Sequence, residues 1–180
     1  FRRVLFRSPG PVSPEALSEL IRVIGGAAFA PSVGAIAGLA AAMEPATVAG
    51  VRVLRAGTLG RGWLLVREQA SIGGSVAAVP GVVWDRRFLF VSECEVPPDT
   101  IIAALGTHAS KFRDKSPLPS VVLRTLPALW RNGAILSVPN LDPASPFRFR
   151  FRPARPVAGG PFGTLPESPF QWNFSKGDAI

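Results

Sequence analysis

The chain has 180 residues, of which 47% are hydrophobic and 18% charged, with a single Cys and a single His. That length makes one domain, or one domain with an appendage, and that apolar content excludes wholesale disorder; so few Cys and His exclude a disulfide framework and a zinc site of the usual ligands. The 20 Lys and Arg against 12 Asp and Glu give a formal charge of +8, which favours an anionic partner, and no apolar run approaches the ~18 residues of a membrane-spanning helix.

Phe1 to Ser8 reads as a translated sequencing-library adapter and is expected to lie outside the native protein. Without Arg2, Arg3 and Arg7 the charge falls from +8 to +5, and the chain is expected to be the C-terminal part of a longer protein. The alternative is a genuine basic N-terminal arm.

Ser13-Pro14-Glu15 opens a helix with a cap, a first-turn proline and an acid at the positive end. Leu17, Leu20, Ile21 and Ile24 share its apolar face, and Gly25-Gly26 ends it. A second helix is expected over Ser32 to Met43, with Val33, Ile36, Leu39, Ala40 and Met43 inward and Gly34, Gly38 and Ala40 to Ala42 small enough for close packing. The period then becomes extended: a strand over Thr47 to Arg55, a hairpin loop at Gly57 to Gly62, and a return strand over Trp63 to Arg67. A further strand is expected over Val82 to Val91, with Asp85-Arg86-Arg87 inside it. A short helix over Thr100 to Leu105, a basic loop over Thr107 to Pro119 and a helix over Ser120 to Trp130 broken at Pro127 follow. Ala134 to Val138 reads as a strand after the turn Asn132-Gly133. Phe147 to Arg152 alternates Phe and Arg, so a strand there puts Phe on one face and Arg on the other. A Pro/Gly-rich tail through Pro161, Pro166 and Pro169 ends the chain. The expected class is α+β: N-terminal helices, a small and mainly antiparallel sheet, an additional helix and the tail. Residues 9–45 form a helical linker, 46–141 an α+β domain, and 142–180 the Phe/Arg strand and tail.

Residues fit for catalysis are few. Cys94 sits between Glu93 and Glu95, which disfavour a thiolate, and nothing in the sequence pairs it with His108, which reads as a surface residue. Glu68 and Asp85 have Arg neighbours that suggest ion pairs, and Gly73-Gly74-Ser75 lacks the lysine and context of a phosphate loop. The positive charge offers more. Arg52, Arg55, Arg61 and Arg67 fall on one hairpin, Arg86 and Arg87 on the next strand, Lys111, Arg113 and Lys115 in one loop, then Arg124 and Arg131. These are candidate phosphate contacts, which need no special geometry; the alternative is scattered solubilising charge. For the Arg face of Phe147 to Arg152, an edge strand guarded by charge is the favoured reading over RNA contact.

The order of segments resembles the C-terminal part of bacterial tRNA(Ile)-lysidine synthases of the shorter alphaproteobacterial form. The matching stretches are Ile24-Gly25-Gly26-Ala27, Pro31 to Met43, Ala46 to Val53, Leu64 to Glu68, Val83 to Phe88, Leu126 to Gly133, Leu136 to Leu141 and Arg152 to Pro156, spread over about residues 14–162. Val48-Ala49-Gly50 departs slightly from the family's Thr-Leu-Gly-Gly. The family adenylates C2 of the wobble cytidine of an isoleucine tRNA with ATP and Mg, and lysine then displaces AMP. The resemblance implies a cytoplasmic tRNA-modifying ligase whose ATP chemistry belongs to an N-terminal PP-loop domain. Its Ser-Gly-Gly-x-Asp-Ser motif does not occur in this chain, where Ile72 and Ala77 flank the Gly73-Gly74 stretch. No catalytic, cofactor-binding or metal-binding residue is therefore expected here, and the piece alone is expected to be inactive. Its implied partners are isoleucine tRNA and the catalytic domain, with homodimerisation left open and no membrane contact. The alternative is a structural or protein-interaction module with solvated Arg residues and a Phe-rich tail that docks a partner.

Overall fold

The computed structural model describes residues 12–154 and the backbone of one earlier strand, Leu5–Ser8. In chain order the elements are β1 (Leu5–Ser8), α1 (Pro14–Gly25), α2 (Val33–Ala42), β2 (Ala46–Val48), β3 (Val51–Arg55), β4 (Trp63–Arg67), β5 (Val76–Ala77), β6 (Val83–Trp84), β7 (Phe88–Ser92), β8 (Thr100–Ala104), α3 (Ser120–Leu123), β9 (Pro127–Arg131), β10 (Ala134–Ser137) and β11 (Phe147–Phe151). The fold is α+β, with antiparallel sheets ordered β1-β4-β3-β2, β10-β9-β8-β5 and β11-β7-β6.

Local chemistry sets the helix ends. The Ser13 and Ser32 hydroxyls accept the Ala16 and Ala35 N–H groups at 3.2 and 3.3 Å, and Gly26 leaves α1 in the left-handed region at φ 64°. Leu17, Ile21 and Ile24 of α1 join Ile36, Ala40 and Met43 against Val51, Val53, Trp63 and Leu65 of the first sheet. The other face of that sheet is also covered: Leu64 and Val66 pack with Ala56 and with Val122 of α3. Burial on both faces explains why β4 reads as a continuous apolar run rather than an alternation. The largest core lies between the other two sheets, where Trp84, Phe88, Phe90 and Phe147 meet Ile102, Leu105, Leu126 and Leu129. Phe149 stacks on Phe90 at 5.4 Å between ring centroids and Phe151 meets Phe88 at 5.9 Å, so the Phe face of β11 packs inward. Among the described residues β11 lies at the edge of its sheet.

Several expected elements take other forms. The strand expected over residues 47–55 is a hairpin, because Ala49 and Gly50 both adopt positive φ (47° and 73°) and turn the chain between β2 and β3. The strand expected over 82–91 is likewise a hairpin, turned at Asp85 and Arg86 (φ 49° and 56°). These are primed turns made without the usual Asn-Gly pair, which does appear at Asn132-Gly133 (φ 51° and 76°). Thr100 to Ala104 is a strand, since its β-branched residues pair with β9 in the register Ile102 to Leu129. The helix expected over 120–130 stops at Leu123, and Pro127 begins β9. The basic loop is a 3₁₀ run over Gly106–Lys115. In α2, Val33 is 42% exposed, and a Cβ at Gly34 or Gly38 would meet nothing within 4 Å, so these positions face outward, and of the small residues named only Ala40 packs inward. The tail beyond residue 154 lies outside the described residues.

Candidate nucleic-acid interface

Of the arginines proposed for phosphate contact, Arg67 and Arg87 are committed inside the protein. The turn at Asp85 and Arg86 points the Asp85 carboxylate inward, where Arg87 donates to Oδ2 from Nε at 2.9 Å and from Nη2 at 2.6 Å. Arg67 donates to the same carboxylate at 3.3 and 3.2 Å, and the Gly73 N–H donates to Oδ1 at 2.9 Å. Both guanidiniums also donate to backbone: Arg87 to the Ile24 carbonyl at 3.0 Å, Arg67 to the Gly50 carbonyl at 3.1 Å and to that of Ser71. Arg87 is fully buried and Arg67 nearly so. Burial lowers the Arg87 pKa to about 10 against the opposing pull of Asp85, which still leaves the side chain cationic at neutral pH. A guanidinium buried against a carboxylate and backbone carbonyls is withdrawn from a polyanion at the surface. The cluster instead ties α1, β4 and the β6–β7 turn together.

The other candidates stay at the surface. Arg52, Arg55, Arg61, Arg86, Lys111, Arg113, Arg124 and Arg131 are exposed. The Arg55 guanidinium sits 4.1 Å from the centroid of the Trp63 ring, which orders it without taking it out of water. Arg52, from β3, and Arg124, just after α3, are 72 positions apart in sequence yet line one cleft of about 220 Å³, with Gln69, Ser120 and the edge of Arg67 in its walls. Neither Arg52 nor Arg124 forms an ion pair among the described residues. Two unspent guanidiniums over a polar pocket suit a phosphate or a carboxylate. Lys111 faces a separate and larger cleft of about 760 Å³, shared with Lys115, His108 and Trp130.

The residues weighed for catalysis are placed apart or spent on structure. Cys94 is exposed in a turn where its N–H donates to Ser92 Oγ at 3.3 Å. His108 lies edge-on to Trp130, 5.0 Å between centroids. Glu68 accepts from the Ser71 hydroxyl at 2.6 Å, whereas Asp85 carries the two arginines. Gly73 gives its N–H to Asp85, and Gly74 gives its carbonyl to the Trp84 indole at 3.1 Å, so this loop serves the ion-pair cluster. Among the described residues no group of His, Cys, Asp or Glu could hold a metal ion, and no helix is long and apolar enough to cross a membrane. Sequence reasoning missed Trp130 as a cleft residue; its only signal was an aromatic beside Arg131.

No family model, curated protein or solved structure matches this chain.

Proposed function

We propose that this chain is the tRNA-gripping, non-catalytic region of a cytoplasmic tRNA-modifying ligase of the tRNA(Ile)-lysidine synthase kind. The observation that carries the RNA-binding part is the convergence of Arg52 and Arg124, distant in sequence and free of ion pairs among the described residues, on one polar cleft. The ligase assignment is supported by the order of the resembling segments. A modifying enzyme must hold a long polyanion while one base enters a pocket elsewhere, and phosphate contacts on an accessory region supply that hold without reading sequence. On this reading the grip comes from Arg52, Arg124 and the exposed Arg55, Arg61, Arg86, Lys111, Arg113 and Arg131. ATP, Mg and lysine belong to the catalytic domain.

Two observations test it. The reading frame upstream of the Pro9 codon should encode the Ser-Gly-Gly-x-Asp-Ser loop; an unrelated domain there would overturn the ligase assignment. Titration of the chain with an isoleucine tRNA transcript should show binding that weakens steeply with salt. No binding at low salt would leave a structural or protein-interaction module, a reading that the outward apolar face of α2 favours.

A further inference from the structure

The 3₁₀ run Gly106–Lys115 builds an unassigned cleft against β9 and β10. In a 3₁₀ helix residues three apart eclipse. His108 and Lys111 therefore share one ridge, and Phe112 and Lys115 share the next. The second ridge is anchored in the largest core through Ala109, which is 1% exposed, and through Phe112 itself. Each ridge thus offers an aromatic ring with a lysine one turn on, both lining the same cleft. Trp130 reaches it from β9 and meets His108 edge-to-face. The Trp130 N–H is buried and has no acceptor among the described residues. An acceptor admitted by a small rotation of the ring would satisfy it. Asp142 lines the same cleft and can accept from a hydroxyl or an exocyclic amine.

Rings to stack on, two cations one turn beyond them and a single carboxylate acceptor match the parts of a nucleotide: base, phosphate, and sugar hydroxyl or amine. A duplex hides its base faces, so the fit is to an unpaired residue. We infer that this cleft binds an unpaired nucleotide of an RNA strand, with the base against Trp130 and His108 and the flanking phosphates on Lys111 and Lys115. The choice of an RNA strand over a free nucleotide rests on the proposed RNA-gripping function, while the cleft chemistry stands apart from it. The cleft shares no lining residue with the one at Arg52 and Arg124.

The test is a set of anisotropy titrations of the full chain with labelled hexaadenylate, with a blunt RNA duplex, and with unlabelled AMP as competitor. Hexaadenylate should bind, and its affinity should fall about five- to hundredfold in Trp130→Leu, the effect of removing one stacked base. Because Trp130→Leu also touches packing, Lys111→Ser with Lys115→Ser at exposed positions gives an independent reading. That pair should flatten the log–log salt slope by about 0.7 for each single-strand phosphate that is no longer neutralised. Duplex binding through Arg52 and Arg124 should be unchanged in Trp130→Leu. Hexaadenylate affinity and slope unaltered by the lysine pair would overturn the site. AMP competing at the concentration of hexaadenylate itself would overturn the strand assignment. A wild-type chain that fails to bind the duplex would instead refute the RNA grip at Arg52 and Arg124, with the hexaadenylate result still standing on its own.

Discussion

Replacing Asp85 with Asn removes one negative charge and little else. Asn is among the few residues at ease at φ 49°, so the turn keeps its backbone, and its side-chain oxygen can still accept from Gly73. What it cannot do is neutralise Arg67 and Arg87, whose side chains are 10% and 0% exposed. Breaking a buried ion pair by removing one partner costs about 3–5 kcal/mol, because the stranded charge remains desolvated. With a urea m-value of about 2 kcal/mol/M for a chain this size, the unfolding midpoint should fall by about 1.5–2.5 M. The assay is urea denaturation followed by fluorescence and by circular dichroism, with m compared between variants. Adding Arg87→Met to Asp85→Asn should recover at least about 1 kcal/mol, since it removes the stranded cation, so the two substitutions should be strongly non-additive. A midpoint shift below about 0.5 M, or simple additivity, would refute the assignment of this cluster as the tie between α1, β4 and the β6–β7 turn.

Other substitutions probe the remaining elements. Gly34→Ala with Gly38→Ala should stabilise the chain by about 0.5–1 kcal/mol per site, read as a higher midpoint, because both positions are helical and open to solvent. Gly50→Ala should destabilise by more than about 1 kcal/mol, since φ is 73° and a Cβ would collide with Arg67 Nη1; unchanged thermal stability would contradict that turn. Phe90→Ala, at a fully buried ring stacked on Phe147 and Phe149, should cost about 3–5 kcal/mol in the same urea assay.

The first two helices were legible because their signals are local: a serine cap, a first-turn proline and a closing glycine delimit α1 wherever it packs. The Phe/Arg alternation of β11 and the Asn-Gly turn were legible for the same reason. The hairpins at Ala49-Gly50 and Asp85-Arg86 were not, because neither pair is rich in residues that favour positive φ at both positions. They are held from outside, by the close approach of Arg67 to Gly50 and by the ion pairs of Asp85. Thr100 to Ala104 and Pro127 to Arg131 form strands because they pair with each other, a relation that local periodicity cannot show. The same limit governs the candidate interface. Charge identified the arginines but not which of them pair inside, so Arg67 and Arg87 read like Arg52 and Arg124 until tertiary contacts separated them. Trp130 carried no charge and no motif, and only the folding of the 3₁₀ run against β9 brings it beside His108.

The most direct measurement of the RNA-grip proposal is the salt dependence of isoleucine tRNA binding in the wild-type chain and in Arg52→Ala with Arg124→Ala. Both side chains are exposed, so the variant should fold with an unchanged urea midpoint. The expected result is a log–log slope about 1.8 lower in magnitude than wild type, about 0.9 for each phosphate that is no longer neutralised. An unchanged slope with unchanged affinity would show that the cleft at Arg52 and Arg124 does not hold the RNA backbone.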